Sequence, residues 1–410
     1  MILSNVNNTP LQPFDPMVLD CLGEISSAIL KSPVGRQFPD LTAFAFYIRK
    51  ANLQKLEAAF TSDEIRIGRG LCFHIAPANI PVNFAFTWVF SLLAGNANIV
   101  RLPSKDFPQV DALLAIIRTH LTRYPELETR NLFVKYPRTD NETTAAYCQM
   151  ADCRMIWGGD RTIASIKALP TKPRCVDICF ADRYSVALIN AEAILKADDA
   201  QIARLAQDFY NDTYLMDQNA CSSPQVILWE SADIEKAQER FWSAVEDVAK
   251  AKYVLQDAVA VDKYTLFCEE AVNNPAIKSV VRKENLLYRV ELKELQPRNT
   301  PNTRNGVEDV PCDLCIQWSK NSCVTEHRGK AGFFFEYVLK DREEFFSVVT
   351  EKFQTITQFG IDASELARQI VTAHLRGIDR IVPIGKAMDI GVFWDGHDLI
   401  RELSRCIVAQ

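Results

Sequence analysis

Several features are missing from this sequence of 410 residues, and each absence excludes a class of protein. No block of lysine and arginine occurs and the net charge is −6, so we expect no nucleic-acid partner. The first residues show no basic segment followed by an apolar one, which is the pattern of a secretory signal. The sequence therefore predicts a cytoplasmic protein.

A long segment without charge tests whether the chain enters a membrane. Residues 71–100 contain no aspartate, glutamate, lysine or arginine, and this length could cross a bilayer. Prolines, asparagines and Gly95 interrupt the segment, and its most continuous apolar part, residues 84–94, is too short to cross. We predict a buried strand, loop and helix here, and no membrane span.

Twelve cysteines could form disulfides in a secreted protein, but no signal peptide is predicted. Reduced thiols are therefore the better interpretation. Cys312 and Cys315 have the spacing of a zinc-binding pair. A structural zinc site needs two more ligands, and the sequence offers neither a second such pair nor a histidine cluster. We expect no metal site.

Hydrophobic periodicity predicts an α/β protein. The first sixty residues have helical spacing, and after them short apolar strands alternate with amphipathic helices, which is typical of a parallel sheet. The predicted strands are residues 71–76, 98–102, 132–134, 155–156 and 226–229. The predicted helices are residues 83–94, 107–121, 162–169, 234–250, 262–272, 343–357 and 363–375.

The length of the chain predicts two domains. We assign residues 1–195 to the first domain, on which residues 376–410 pack back. Residues 196–375 form the predicted second domain. Within it, residues 295–312 are rich in proline, asparagine and arginine and are predicted to be an exposed connection.

Three separated motifs carry the chemistry of acyl transfer. They are HIAPANIPVNF at residues 74–84, AGNANIVRLPSK at residues 94–105 and DQNACSSPQ at residues 217–225. Cys221 in the third motif offers a nucleophilic sulfur. Asn79, between two prolines in the first motif, offers an amide N–H that could stabilise an oxyanion.

Together these motifs resemble the aldehyde dehydrogenase superfamily, and more closely the bioluminescence-type fatty acyl-CoA reductase family. MIWGGDRTI (residues 155–163), FADRYSVALI (180–189), GIDRIVPIGKAMD (377–389) and WDGHDL (394–399) support the resemblance. It implies an aldehyde dehydrogenase-like fold, in which residues 1–195 form a Rossmann-like cofactor-binding domain and residues 196–375 form an α/β catalytic domain. It also implies reduction of an acyl thioester, long-chain by expectation, to an aldehyde.

The resemblance also assigns roles to single residues. It implies that Cys221 is the catalytic thiol, with its backbone N–H as one oxyanion donor and the Asn79 amide as the other. Gly158 and Gly159 match the turn that approaches the dinucleotide. His74 precedes Asn79, and we favour a core position for it over the role of a general base.

One departure from the superfamily concerns the residue that activates water for hydrolysis. Hydrolytic aldehyde dehydrogenases carry a glutamate in a Leu-Glu-Leu-Gly-Gly-Lys element, and the matching stretch ICFADR has Cys179 at that place. Without a carboxylate to deprotonate water, hydrolysis of an acyl-enzyme should be slow, and exchange with another thiol is favoured.

A second departure concerns the cofactor. In NAD-preferring relatives an acid follows the Lys-Pro-Ser element, whereas this chain has Arg101, Ser104 and Lys105 there and no acid. A 2′-phosphate favours cationic and hydroxyl donors, so the predicted cofactor is NADPH, with NADH as the alternative.

The expected partners are acyl-CoA, an acyl carrier or an acyl-activating enzyme, and the chain is expected to form a homo-oligomer. Three alternatives stay open at this stage. The chain could be a hydrolytic aldehyde dehydrogenase, an acyl-phosphate reductase or a non-catalytic subunit of an acyl-reductase complex.

Overall fold

The computed structural model describes residues 6–60, 64–77, 80–295 and 324–409. The chain divides into two compact units, Met1–Asp182 with Gly391–Gln410, and Arg183–Ile390. The sequence-based division had placed residues 183–195 and 376–390 in the first domain. They belong to the second unit because strands at Tyr184–Asn190 and Arg380–Pro383 join its sheet. The assignment of cofactor binding and catalysis to separate domains stays a prediction.

The first unit combines a parallel sheet with helices. Its helices before residue 182 are α1 (Pro16–Lys31), α2 (Pro33–Gln37), α3 (Pro39–Tyr47), α4 (Lys50–Phe60), α5 (Asn83–Leu93), α6 (Pro108–Leu121), α7 (Pro125–Glu128), α8 (Asn141–Met150) and α9 (Asp160–Lys167). Its strands there are β1 (Ile65–Gly68), β2 (Leu71–Ile75), β3 (Ala97–Arg101), β4 (Asn131–Val134), β5 (Cys153–Trp157) and β6 (Val176–Phe180). Five of them form a parallel sheet in the order β4-β3-β2-β5-β6.

The charge-free segment forms the centre of this sheet. It folds into β2, α5 and β3, as predicted, and every residue of β2 is buried. Central strands of a parallel sheet are covered on both faces, which explains a continuous apolar run instead of an alternating one. In the part of the chain that the structure describes, no helix has the length and hydropathy needed to span a membrane.

The second unit is built on a seven-stranded sheet. Its strands are β7 (Tyr184–Asn190), β8 (Pro224–Glu230), β9 (Ile277–Lys283), β10 (Leu287–Leu292), β11 (Phe333–Val338), β12 (Phe353–Phe359) and β13 (Arg380–Pro383). Its helices are α10 (Ala191–Lys196), α11 (Asp199–Thr213), α12 (Ile234–Lys252), α13 (Asp257–Asn273), α14 (Arg342–Phe346) and α15 (Ala363–Thr372). The sheet order is β13-β12-β7-β8-β11-β10-β9, and its pairs are parallel except for that of β9 with β10.

The helix predicted over residues 343–357 is wrong. The structure has only the five-residue α14 there, followed by β12. β12 is rich in β-branched and aromatic residues, and its first five residues are buried between β7 and β13. Such side chains fit a covered strand better than a helix. The exposed connection predicted for residues 295–312 lies almost wholly outside the described residues.

A buried carboxylate organises one side of the second unit. Glu336 on β11 accepts hydrogen bonds from the indole N–H groups of Trp229 (2.9 Å) and Trp242 (2.8 Å), and from Gln238 (3.1 Å). Arg289 donates its Nε–H to the other carboxylate oxygen at 2.6 Å. Four donors thus satisfy a side chain that is almost wholly removed from solvent.

A buried lysine connects α13 to two loops. Lys263 donates from Nζ to the carbonyl oxygens of Asn285 and Ala331, both at 2.8 Å. Burial, with the nearby charge of Arg282 as a smaller cause, lowers the pKa of Lys263 to about 7.

The C-terminal residues return to the first unit. They form β14 (Phe393–Trp394), β15 (His397–Asp398), α16 (Leu399–Glu402) and β16 (Ser404–Ile407). β16 pairs with β1 in an antiparallel ribbon whose register joins Ile65 to Ile407.

Candidate active site

Cys221 lies on a short turn between α11 and β8. After α11, a 3₁₀ turn covers Tyr214–Met216, and Asp217 and Gln218 follow with left-handed φ angles of 49° and 57°. Residues other than glycine seldom adopt positive φ, so tertiary contacts must stabilise this turn. Cys221 is half-buried, which leaves part of the residue accessible to solvent.

The buried side chain of Gln218 attaches the turn to the start of β11. Its Oε1 accepts the N–H groups of Gly332 (2.8 Å) and Phe333 (3.1 Å), and its Nε2 donates to the Phe333 carbonyl at 3.1 Å. Gly332 has a φ of 85°, and a Cβ there would collide with the carbonyl oxygen of Leu286. Only glycine fits this close approach. The hydrogen bonds of Gln218 to this segment hold the turn in place three residues before Cys221.

A second contact fixes the backbone of Cys221 itself. Ser185 on β7 donates its hydroxyl to the Cys221 carbonyl at 2.7 Å. The N–H of Thr355 on β12 in turn donates to the Ser185 oxygen at 3.3 Å. Two central strands of the sheet therefore position the residue that carries the sulfur.

A loop after β13, residues 384–389, lies against the same turn. Asp212 on α11 accepts the N–H groups of Gly385 (2.6 Å) and Ala387 (3.0 Å), and Met388 Sδ lies 3.7 Å from the hydroxyl of Ser222. Burial raises the pKa of Asp212 to about 7, because it outweighs the two hydrogen bonds that favour the carboxylate. The loop is part of the motif GIDRIVPIGKAMD, but no local pattern in that motif indicates its contact with the cysteine turn.

Gly158 and Gly159 connect β5 to α9 in the first unit, where a strand, turn and helix follow one another. Gly159 is the N-cap of α9 and is exposed, and a Cβ built on it meets no atom within 4 Å. A ligand's phosphate could therefore approach the backbone at this turn without displacing protein atoms.

The model of the acyl-CoA reductase (LuxC) family matches residues 49–295, more than half of the chain. The chain belongs to this family. It is therefore an oxidoreductase that acts on acyl or aldehyde groups, as its motifs predict.

Solved structures of aldehyde dehydrogenases resemble the reductase in fold. Aldehyde dehydrogenase 21 of Physcomitrella patens, in complex with succinate, gives a TM-score of 0.63 at 11% identity, covering 96% of this chain and 86% of that one. The NADP-dependent glyceraldehyde-3-phosphate dehydrogenase of Bacillus halodurans, in complex with NADP, gives 0.58 at 14% identity, covering 97% and 86%. The NAD-dependent benzaldehyde dehydrogenase of Corynebacterium glutamicum gives 0.60 at 11% identity, covering 96% and 85%.

These identities are low, so the likeness concerns the fold, and it confirms the predicted aldehyde dehydrogenase-like α/β class. A comparison with curated proteins found no match.

The predicted cofactor residues of the reductase lie at or after the end of β3. The Arg101 guanidinium lies 4.5 Å from the centre of the Tyr136 ring, and Ser104 and Lys105 are exposed. Two further basic residues that no sequence motif singled out, Lys135 and Arg138, follow the neighbouring strand β4. β3 and β4 are parallel, so their carboxyl ends share one edge of the sheet. The stretch KYPR after a predicted strand was the signal that could have revealed them.

Asn79 lies outside the described residues, so its predicted role stays a prediction. His74, five residues earlier, is fully buried, with Nδ1 2.9 Å from Thr87 Oγ1 and Nε2 3.0 Å from Asn98 Oδ1. Burial lowers its pKa to about 4. Both ring nitrogens have partners within the core, so this histidine is structural, as we favoured.

Cys179, at the place of the missing glutamate, lies on β6 and packs against the core of the first unit. Burial raises the pKa of its thiol. Among the described residues, none of the nine cysteines forms a disulfide, and no group of three or more histidine, cysteine or acidic side chains could hold a metal ion. Cys312 and Cys315 lie outside that part of the chain.

Proposed function

We propose that this acyl-CoA reductase converts an acyl thioester to an aldehyde through an acyl-enzyme on Cys221, with NADPH as reductant. The observation that carries the proposal is the turn at Cys221. It combines a half-buried cysteine, two left-handed residues before it, and backbone contacts that Gln218 and Ser185 maintain. A structural cysteine needs none of these features, whereas a nucleophile must be held in one orientation.

Each step of the proposed reaction is assigned to particular residues of the chain. The Cys221 thiolate attacks the thioester carbonyl, the bond to the departing thiol breaks, and the acyl group stays on Cys221. The oxyanion formed during attack accepts hydrogen bonds from the Asn79 amide and the Cys221 backbone N–H. When bound, NADPH supplies the hydride, so that one thioester, one NADPH and one proton give one aldehyde, one thiol and one NADP⁺. Cys179 offers no carboxylate to activate water, which favours reduction over hydrolysis.

The first unit supplies the groups that fit the cofactor. The turn at Gly158 and Gly159, which is open at Gly159, would take the pyrophosphate, while Arg101, Ser104 and Lys105 would hold the 2′-phosphate. The neighbours in fold include an NADP-dependent and an NAD-dependent enzyme, so the choice of NADPH depends on Arg101, Ser104 and Lys105. A long-chain acyl group is the proposed substrate, delivered by CoA, an acyl carrier or an acyl-activating enzyme, and the proposed assembly is a homo-oligomer.

Intact mass spectrometry tests the proposed reaction. The reductase is incubated with acyl-CoAs of increasing chain length, with and without NADPH. We expect an added acyl mass on the wild-type protein that NADPH discharges, and no such adduct on Cys221→Ala. Oxidation of aldehydes without any thiol acceptor would instead indicate a hydrolytic aldehyde dehydrogenase. Acylation by acyl phosphates alone would indicate a phosphate-forming enzyme, and the absence of any adduct would indicate a non-catalytic subunit.

Removing one proposed phosphate ligand tests the cofactor. We expect Lys105→Ala to raise the KM for NADPH about tenfold, because one charge-assisted hydrogen bond is lost. The KM for NADH should not change, since NADH has no 2′-phosphate. Steady-state kinetics with both cofactors gives the two values. Lys55→Ala, which removes an exposed lysine of α4, is the matched control. An equal rise for both cofactors would contradict NADPH specificity at this residue.

A further inference from the structure

We propose that Arg380 is a positioning residue that favours the ionised form of the Cys221 sulfur, with its guanidinium held in place by the 384–389 loop. This inference rests on the proposed role of Cys221 as the nucleophile. It adds a residue that neither the family match, which ends at residue 295, nor the sequence motifs assign to the reaction.

The sheet brings Arg380 towards the cysteine turn. Arg380 begins β13 and is the register partner of Thr355 on β12. Residues paired in register project from the same face of a sheet. The N–H of Thr355 donates to Ser185, and the Ser185 hydroxyl donates to the Cys221 carbonyl. A continuous series of paired strands and hydrogen bonds therefore joins the two residues.

Three carbonyl groups of the loop orient the guanidinium. Nη1 donates to the Ala387 oxygen at 2.8 Å, and Nη2 donates to the oxygens of Lys386 and Asp389, both at 2.7 Å. The rigid, planar fork of arginine suits three acceptors arranged in this way. Carbonyl oxygens orient the group but, being neutral, do not cancel its charge.

The same loop contacts the cysteine turn directly. Met388 lies between two of the residues whose carbonyls bind Arg380, and its sulfur is 3.7 Å from the hydroxyl of Ser222, next to Cys221. From α11, Asp212 accepts the N–H groups of Gly385 and Ala387. The loop thus receives hydrogen bonds at its carbonyls from an arginine and donates N–H groups to an acid, which limits its freedom to move.

The groups that affect the pKa of Arg380 are those that this arrangement brings near it. Burial lowers the pKa of the half-buried Arg380, while Asp389, Asp212 and Cys221, each in its ionised form, oppose that change. A Coulomb interaction is mutual, so the charge of Arg380 favours the thiolate as the thiolate favours the arginine.

Other titratable groups also face this loop. Asp208 and Asp212 approach from α11, and Lys386 pairs with Asp389 at 3.0 Å within the loop. Burial keeps Asp212 partly protonated near neutral pH, which weakens its opposition to a neighbouring anion.

The rate of alkylation of Cys221 tests the proposal. Full-length protein is treated with iodoacetamide between pH 5 and 10, and the modified peptide that contains Cys221 is quantified by mass spectrometry. We expect the midpoint of the rate profile to rise by about one pH unit in Arg380→Gln, because a nearby positive charge is removed. Arg380→Lys should restore most of the difference. Arg368→Gln removes an exposed arginine of α15 in the same unit and should leave the midpoint unchanged.

A variant of Arg380 that fails to fold would also change the alkylation profile, so folding has to be measured separately. Arg380→Met is therefore prepared alongside, since an apolar chain of similar length removes the charge without burying an amide. Circular dichroism identifies which neutral variant retains the wild-type unfolding midpoint, and the alkylation profile is taken on that variant. An unchanged profile in a folded neutral variant would overturn the role of Arg380. The proposed function would fail separately, if Cys221→Ala still formed the acyl adduct.

Discussion

Replacing Cys221 by alanine is expected to lower the rate of acyl-CoA reduction by at least about 10⁴-fold, because the acyl-enzyme can no longer form. The loss should appear in kcat, since binding of the thioester does not require the sulfur. Single-turnover assays with NADPH, followed by absorbance of the cofactor, measure the effect. Cys221→Ser should retain only a trace of activity, because a hydroxyl is a far weaker nucleophile than a thiolate.

Cys179→Ala is the control for this experiment. Like Cys221, Cys179 is a half-buried cysteine outside any disulfide, but it packs against the core of the first unit, and burial raises the pKa of its thiol. We expect its replacement to leave kcat within a few fold of wild type. Activity that survives in Cys221→Ala and disappears in Cys179→Ala would move the nucleophile to the other cysteine.

Glu336→Gln is expected to lower the free energy of unfolding by about 3–5 kcal/mol, the largest stability effect that we predict. The carboxylate satisfies Trp229, Trp242, Gln238 and Arg289. An amide has one acceptor oxygen, and its NH₂ group would face donors that are removed from solvent. Arg289 would also lose the charge that balances its own.

Urea denaturation, followed by tryptophan fluorescence, measures this change. Glu365→Gln is the control, because Glu365 pairs with Arg368 on the exposed surface of α15 and such pairs contribute little. We expect less than about 1 kcal/mol for the control. A similarly small value for Glu336→Gln would show that the network can rearrange around a neutral amide.

The sequence predicted best where neighbouring residues decide the structure. Helices cover most of residues 16–60, as the helical spacing predicts. From β2 to α9 the alternation of strand and helix agrees with the prediction apart from errors at the ends and the two helices α7 and α8, which were not predicted. Each of these elements has a local pattern, such as the buried run of β2 or the one-sided stripe of α6. The Cys221 turn could be proposed for the same reason, because its motif is contained in nine consecutive residues.

Prediction failed where distant segments decide the structure. Residues 353–359 have a helix-compatible spacing, but they lie between β7 and β13 and form a strand. Asp212 and Gly385 are 173 positions apart, and Arg380 is connected to the cysteine turn through the sheet and through the 384–389 loop. No local pattern reports such contacts. Gln218 was visible within the motif, yet its partner segment at residues 332–333 was not.

Lys263 has a practical consequence for handling the purified enzyme. An unfolded chain keeps this side chain protonated up to about pH 10.4, whereas the native protein releases the proton near pH 7. A neutral amine still has two N–H donors, enough for the carbonyls of Asn285 and Ala331. The free energy of unfolding therefore rises as the pH increases from about 7 to about 10. At pH values below about 7 this contribution of Lys263 is absent, because the side chain is protonated in both states. Mildly alkaline storage buffers suit this amine better than acidic ones.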